Sequence, residues 1–134
     1  MALTDFVILP ALLMGVVLSL IEIYFVAKDE AGMHWLKHAL HAVPAMFIFT
    51  FIAMNAGWAL SFLPFGESLA ITVAAQVAIG VVAMIKVKAA ASITGRGGVG
   101  ESNIHVFIIG LLIAASPYIW ALGLEPFIGD LLPF

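Results

Sequence analysis

Long stretches of this chain carry almost no charge, and their lengths set the first expectation. Phe6 to Ala27 is interrupted only by Glu22, and His38 to Gly66 holds no Asp, Glu, Lys or Arg, with an apolar body from Pro44 to Leu63. Leu69 to Val87 meets a charge only at Lys86, and the uncharged run Ser102 to Leu124 has its apolar part from His105 to Leu122. About 20 apolar residues rising about 1.5 Å each cross about 30 Å of hydrocarbon. In lipid every backbone donor and acceptor must be satisfied within the segment, so each run is predicted to be an α-helix. The expected fold is all-α: one integral membrane four-helix bundle over residues 1–134, with spans at about 6–27, 44–63, 69–87 and 105–122. Pro44 is expected to separate span two from a juxtamembrane surface helix over 31–43, because proline cannot donate to the helix ladder.

Composition agrees with that solvent. Of 134 residues 64% are hydrophobic and 10% charged, with a mean hydropathy of +1.20, whereas a soluble domain carries about 25% charged residues. A net charge of −3 excludes a polybasic nucleic-acid binder, so no nucleic-acid partner is expected. The absence of cysteine removes disulfides, thiolate metal sites and thiol nucleophiles. The opening MALTDF lacks the basic residues of a secretory signal and is expected to be mature structure.

The basic residues orient the bundle. Lys28 and Lys37 lie in the first connection and Lys86, Lys88 and Arg96 at or in the third, whereas the other connection and the tails hold only Asp5, Glu67, Glu125 and Asp130. Basic residues near helix ends stay cytoplasmic, which predicts both termini outside, in a prokaryotic plasma membrane. Trp58, Phe62, Phe65, Tyr118, Trp120 and Phe127 then gather at the outer boundary as an aromatic belt. Trp58-Ala59-Leu60 before Pro64-Phe65 recurs as Trp120-Ala121-Leu122 before Pro126-Phe127, which suggests two tandem helical hairpins. The glycine-rich GRGGVGES loop lacks the Lys-Ser/Thr ending of a phosphate loop and reads as a cytoplasmic connection.

Small residues four apart let helices approach closely in lipid. Ala11, Gly15 and Ser19, then Ala53 and Gly57, Ala74 and Ala78, and Gly110 and Ala114 form such faces on successive spans, so each span is expected to seek another helix. Pro117 should free the carbonyl of Ile113.

Ionisable groups inside a span usually face the protein interior, and Glu22 is the clear case. By depth it falls level with His41, Lys86 and His105, near the inner end of the bundle. Glu30, His34, His38 and His41 share an arc of about 80° on one helix face. Three readings stay open for these groups. The histidines meet water and headgroups; or His34 and His38, at i and i+4, bind a divalent metal with Glu30; or Glu22, His38, His41 and His105 form an ion or proton path with Lys86 as counter-charge. Asn55 and Gln76, near mid-membrane, are expected to bond across helix interfaces, and the scattered methionines to fill the core.

Two four-span families share parts of this layout. The chain resembles the rotary ATPase proteolipids in its paired hairpins with cytoplasmic loops, but has Asn55 and nothing charged where they need a mid-span carboxylate. It resembles the four-span glutathione and eicosanoid enzymes in size and in polar residues at the start of span two, but Lys37, His38 and His41 do not reproduce their Arg, Asn and Glu pattern. Neither likeness reaches a diagnostic motif, so no family is assigned. With no nucleophile–base pair or cofactor fingerprint, the first expectation is a noncatalytic small polytopic subunit, surrounded by bound lipids, that packs into a homo-oligomer or with other membrane subunits. An ion or proton channel or transporter using the inner Glu/His site comes second, and a metal-dependent membrane enzyme third.

Overall fold

The computed structural model describes residues 4–29, 34–64, 68–94 and 103–132, and all regular structure among the described residues is helical. The elements are α1 (Leu9–Asp29), α2 (His34–Met54), α3 (Ala56–Leu60), α4 (Leu69–Thr94), α5 (Asn103–Ile119), a π-helical turn (Trp120–Leu124), α6 (Glu125–Ile128) and a 3₁₀ turn (Gly129–Leu131). Three stretches are long and apolar enough to cross a membrane, Leu9–Lys28, Leu69–Ala89 and Asn103–Leu131, while Leu40–Met54 is a shorter apolar helix. Large side chains cover the outside: Leu20 is 62%, Ile85 63% and Leu122 79% exposed. Apolar surface of that extent on every long helix requires a lipid solvent, and the protein is membrane-embedded.

The interior follows from helical periodicity. On α1 the buried positions are Ala11, Met14, Gly15, Leu18, Ser19, Glu22 and Val26, a stripe repeating every three or four residues. The stripe on α5 is His105, Val106, Ile109, Gly110, Ile113, Ser116 and Pro117, continued by Trp120. α1 packs chiefly on α2, α4 on α5, and α2 on both α4 and α5, with a narrower contact between α1 and α5.

Glycines set the closest approaches. A Cβ on Gly15 would lie 2.7 Å from the Phe47 ring of α2, and one on Gly80 would lie 2.5 Å from the carbonyl oxygen of Gly110. Ala11, Gly15, Ser19, Ala53, Gly57 and Gly110 are all buried within the chain. Ala74 and Ala78 are exposed instead. α4 meets α5 through Gly80, which faces Gly110 and Ala114, so its alanine stripe is turned outward.

The helices depart from the expected boundaries at three polar or proline positions. α2 runs unbroken through Pro44, so the surface helix and span two are one element. A break there would release several backbone groups, against the single ladder bond that proline removes. α2 ends at Met54, where Asn55 (φ −104°, ψ 9°) dislocates the helix before α3. Asn55 Nδ2 donates to the carbonyls of Val7 (3.0 Å) and Phe51 (2.9 Å), and Oδ1 accepts from the Val7 N–H (2.8 Å). This interface role, expected for Asn55, ties the segment before α1 to the end of α2. Beyond Pro117 the helical path continues to Leu131 instead of stopping near residue 122. The Ile113 carbonyl that Pro117 frees accepts the Ser116 hydroxyl at 2.8 Å. Trp120 opens the π turn and is 0% exposed, so it belongs to the core and not to the aromatic belt. Its counterpart in the suggested repeat, Trp58, is half-buried between Phe6 and Phe62.

Candidate functional site around Glu22 and His105

Glu22 and His105 come from helices that are far apart in sequence, and each occupies an inward position of its helix's buried stripe. Glu22 Oε2 lies 2.8 Å from His105 Nε2, with the side chains 0% and 1% exposed. The Phe25 ring, nearly one turn from Glu22 on α1, stacks on the imidazole at 4.9 Å between centroids and 24° between planes. Val26, one turn beyond Glu22 on α1, and Val106, next to His105 on α5, are also buried.

The contact requires a shared hydrogen. At 2.8 Å one hydrogen must lie between the two atoms. Either His105 donates to a carboxylate, or a carboxylic acid donates to an unprotonated Nε2. Adding one further proton takes the pair from a net charge of −1 to zero without moving a heavy atom. The second carboxylate oxygen, Oε1, is buried with no hydrogen-bond partner, as are Ser19 Oγ, one turn away on the same stripe, and Thr50 Oγ1 on α2.

The remaining expected site residues separate. His41 and Lys86 lie on exposed faces, Lys86 on α4, which is not a principal packing partner of α1. A lysine at a helix end extends its ammonium toward the headgroups in preference to a dry interior. Lys88, two residues further along α4, donates from Nζ to Asn103 Oδ1 at 2.7 Å and so ties α4 to the start of α5. His34 and His38 lie on α2, but their side chains, like the whole of Glu30, fall outside the described residues, and with them the metal reading. No group of three metal-ligating side chains occurs among the described residues.

Further buried polar groups sit toward the opposite end. Tyr118 donates its hydroxyl to Gln76 Oε1 at 2.8 Å, and Gln76 Nε2 donates to the Ala53 carbonyl at 3.5 Å. This joins α2, α4 and α5 at one level, and Tyr118 serves it in addition to any place in a belt. Between this level and the Glu22–His105 pair lies an apolar layer of Met14, Leu18, Met46, Ala83, Ile109 and Ile113, all fully or almost fully buried. The sequence signal that Ser19 belongs near the site is its spacing of three from Glu22, which also fits a small-residue face. No protein-family model, no curated protein and no solved structure matches the chain.

Proposed function

We propose that the chain is a four-span membrane bundle with both termini outside, and that it conducts or transports protons or small cations through a path whose inner site is the Glu22–His105 pair. The observation carrying this reading is the sealed 2.8 Å contact between an acid and an imidazole. A titratable group in a membrane interior is expensive unless it works, and imidazole is the side chain that changes charge near neutral pH. Lys28, Lys86 and Lys88 cluster at the same end of the helices, which supports placing that end on the cytoplasmic side. α2, continued through α3 to Leu60, supplies the fourth span. The layer around Met14 and Met46 closes the path above the pair, and unbranched methionine side chains suit a layer that must open.

The test is flux into vesicles containing the purified protein. Glu22→Gln keeps the shape and removes the charge. It should lower the flux about ten- to a hundredfold, the equivalent of one charge-assisted hydrogen bond. Unchanged flux in that variant would end the assignment of this site.

A role as a subunit of a larger assembly has one observation in its favour. Ala74 and Ala78 form a small-residue face on α4 that this chain leaves exposed, between Val73 and Val77. Because the chain has no cysteine, Ala78→Cys provides a single reporter. Disulfide-linked dimer formed in native membranes, and absent for Leu20→Cys on α1, is the expected result for packing through α4.

A further inference from the structure

We infer that the ion handled at this site is a proton delivered through one water molecule held between Ser19 Oγ and Glu22 Oε1; this rests on the proposed path and names its substrate. Ser19 and Glu22 are three residues apart on the buried stripe of α1, 4% and 0% exposed. Their Oγ and Oε1 atoms are the unpaired oxygens beside the pair. An unmet buried oxygen is costly, so two on one helix face within a turn call for a shared partner. That partner must donate to the carboxylate oxygen and either donate to or accept from a hydroxyl. Water does both, and buried water typically makes about three such bonds.

A metal cation fits poorly. Hard cations take about six or more oxygens, while the backbone carbonyls of α1 are committed to its helix. The third unpaired oxygen, Thr50 Oγ1, is remote. Val7 opposite Asn55 and Gly15 opposite Phe47 set the α1–α2 register, which puts Thr50 level with Leu12. That is about 10 Å along the axis from Ser19, at about 1.5 Å per residue. The proton accounting closes on these groups. With Glu22 as the acid, its hydrogen on Oε2 and the imidazole neutral, a proton reaching the bridging water displaces one of the water's hydrogens onto Oε1 while the Oε2 hydrogen crosses to Nε2. The imidazole becomes imidazolium, Glu22 remains an uncharged acid now protonated on Oε1, and the water keeps two hydrogens throughout. Ser19 is then a positioning residue, acting through the water.

The experiment uses the full chain in phosphatidylcholine–phosphatidylglycerol vesicles, with a pH dye inside and radiolabelled sodium outside, under a potassium–valinomycin potential. Wild type should take up protons and not sodium. Ser19→Ala should slow proton uptake about tenfold, the size of one buried hydrogen bond. Ser19→Thr, which keeps the hydroxyl, should restore it to within about threefold on the same scale. Ser19→Ala should also shift the infrared carboxyl band that Glu22→Gln abolishes, a change that loss of packing alone does not produce. Helix content by circular dichroism checks that each variant folds. Sodium uptake by wild type, or Ser19→Ala behaving as wild type in both rate and spectrum, overturns the water-borne proton while leaving the path in place. A wild type that moves neither ion overturns the path itself.

Discussion

The Glu22 carboxyl and the His105 imidazole depend on each other more than either contributes to stability. Both are sealed from solvent, and removing one partner of a buried pair leaves the other polar group without compensation, at a cost of about 3–5 kcal/mol. Replacing both by apolar groups of similar volume is often neutral. His105→Ala should therefore destabilise the protein by several kcal/mol, while the double change Glu22→Leu with His105→Phe should restore most of that loss. Detergent-denaturation midpoints for the two single variants and the double variant provide the cycle, and additive losses would show that the two groups do not interact. Asn55 presents the simpler case. Two of its three side-chain hydrogen bonds reach Val7 in the segment before α1, and the third returns to Phe51 on α2. At about 0.6 kcal/mol for each bond in a membrane interior, Asn55→Leu should cost about 2 kcal/mol in the same titration.

Among the elements, α4 and α5 are held closest by glycine. Gly80→Ala would force a methyl against the Gly110 carbonyl, a backbone atom that cannot rotate away. We expect a loss of about 1–3 kcal/mol, the usual range for overpacking. A Cβ at Gly123 would meet nothing within 4 Å, so Gly123→Ala should be neutral or slightly stabilising. Equal losses at both positions, measured by thermal unfolding in detergent, would contradict the close α4–α5 approach. The elements also show what the sequence makes legible. Uncharged runs locate the long helices because hydrocarbon tolerates few charges, and Pro117 correctly signals a carbonyl in need of a partner, found in the Ser116 hydroxyl. Pro44 misleads, because the same proline rule does not weigh the backbone groups that a break in lipid would expose. Trp120 misleads in the other direction: a tryptophan near a boundary suits a belt, and only the rotation of α5 about its axis puts it in the core.

For the molecule as a whole, counting along the spans puts Glu22 level with His105 but leaves side-chain direction open. It also puts Asn55 and Gln76 near mid-membrane, where the structure instead joins Asn55 to Val7 ahead of α1 and Gln76 to Tyr118 toward the far end. Counting along the spans brings Glu22 level with His105, His41 and Lys86, but packing order decides which of these it meets. α1 reaches α5 and not α4 as a principal neighbour, so His105 is brought in while Lys86 and His41 remain on outer faces. The layered interior follows from the same order, with the acid–imidazole pair at one end, the Met14–Met46 layer between, and the Gln76–Tyr118 contact beyond. If that layer closes the path, Met46→Ala should raise ion flux severalfold over wild type in vesicles, whereas Leu40→Ala, on an exposed face of α2, should leave it unchanged. A Met46→Ala variant with lowered flux and intact helix content would count against a closing role.

The most direct measurement of the central claim is the nitrogen-15 resonance of His105 in lipid nanodiscs, recorded for wild type and for Glu22→Gln. A sealed pair sharing a hydrogen predicts an Nε2 signal displaced from that of a solvent-exposed histidine, slow to exchange with deuterium and altered by the substitution at Glu22. An Nε2 signal that exchanges freely with water and is the same in both proteins would contradict it.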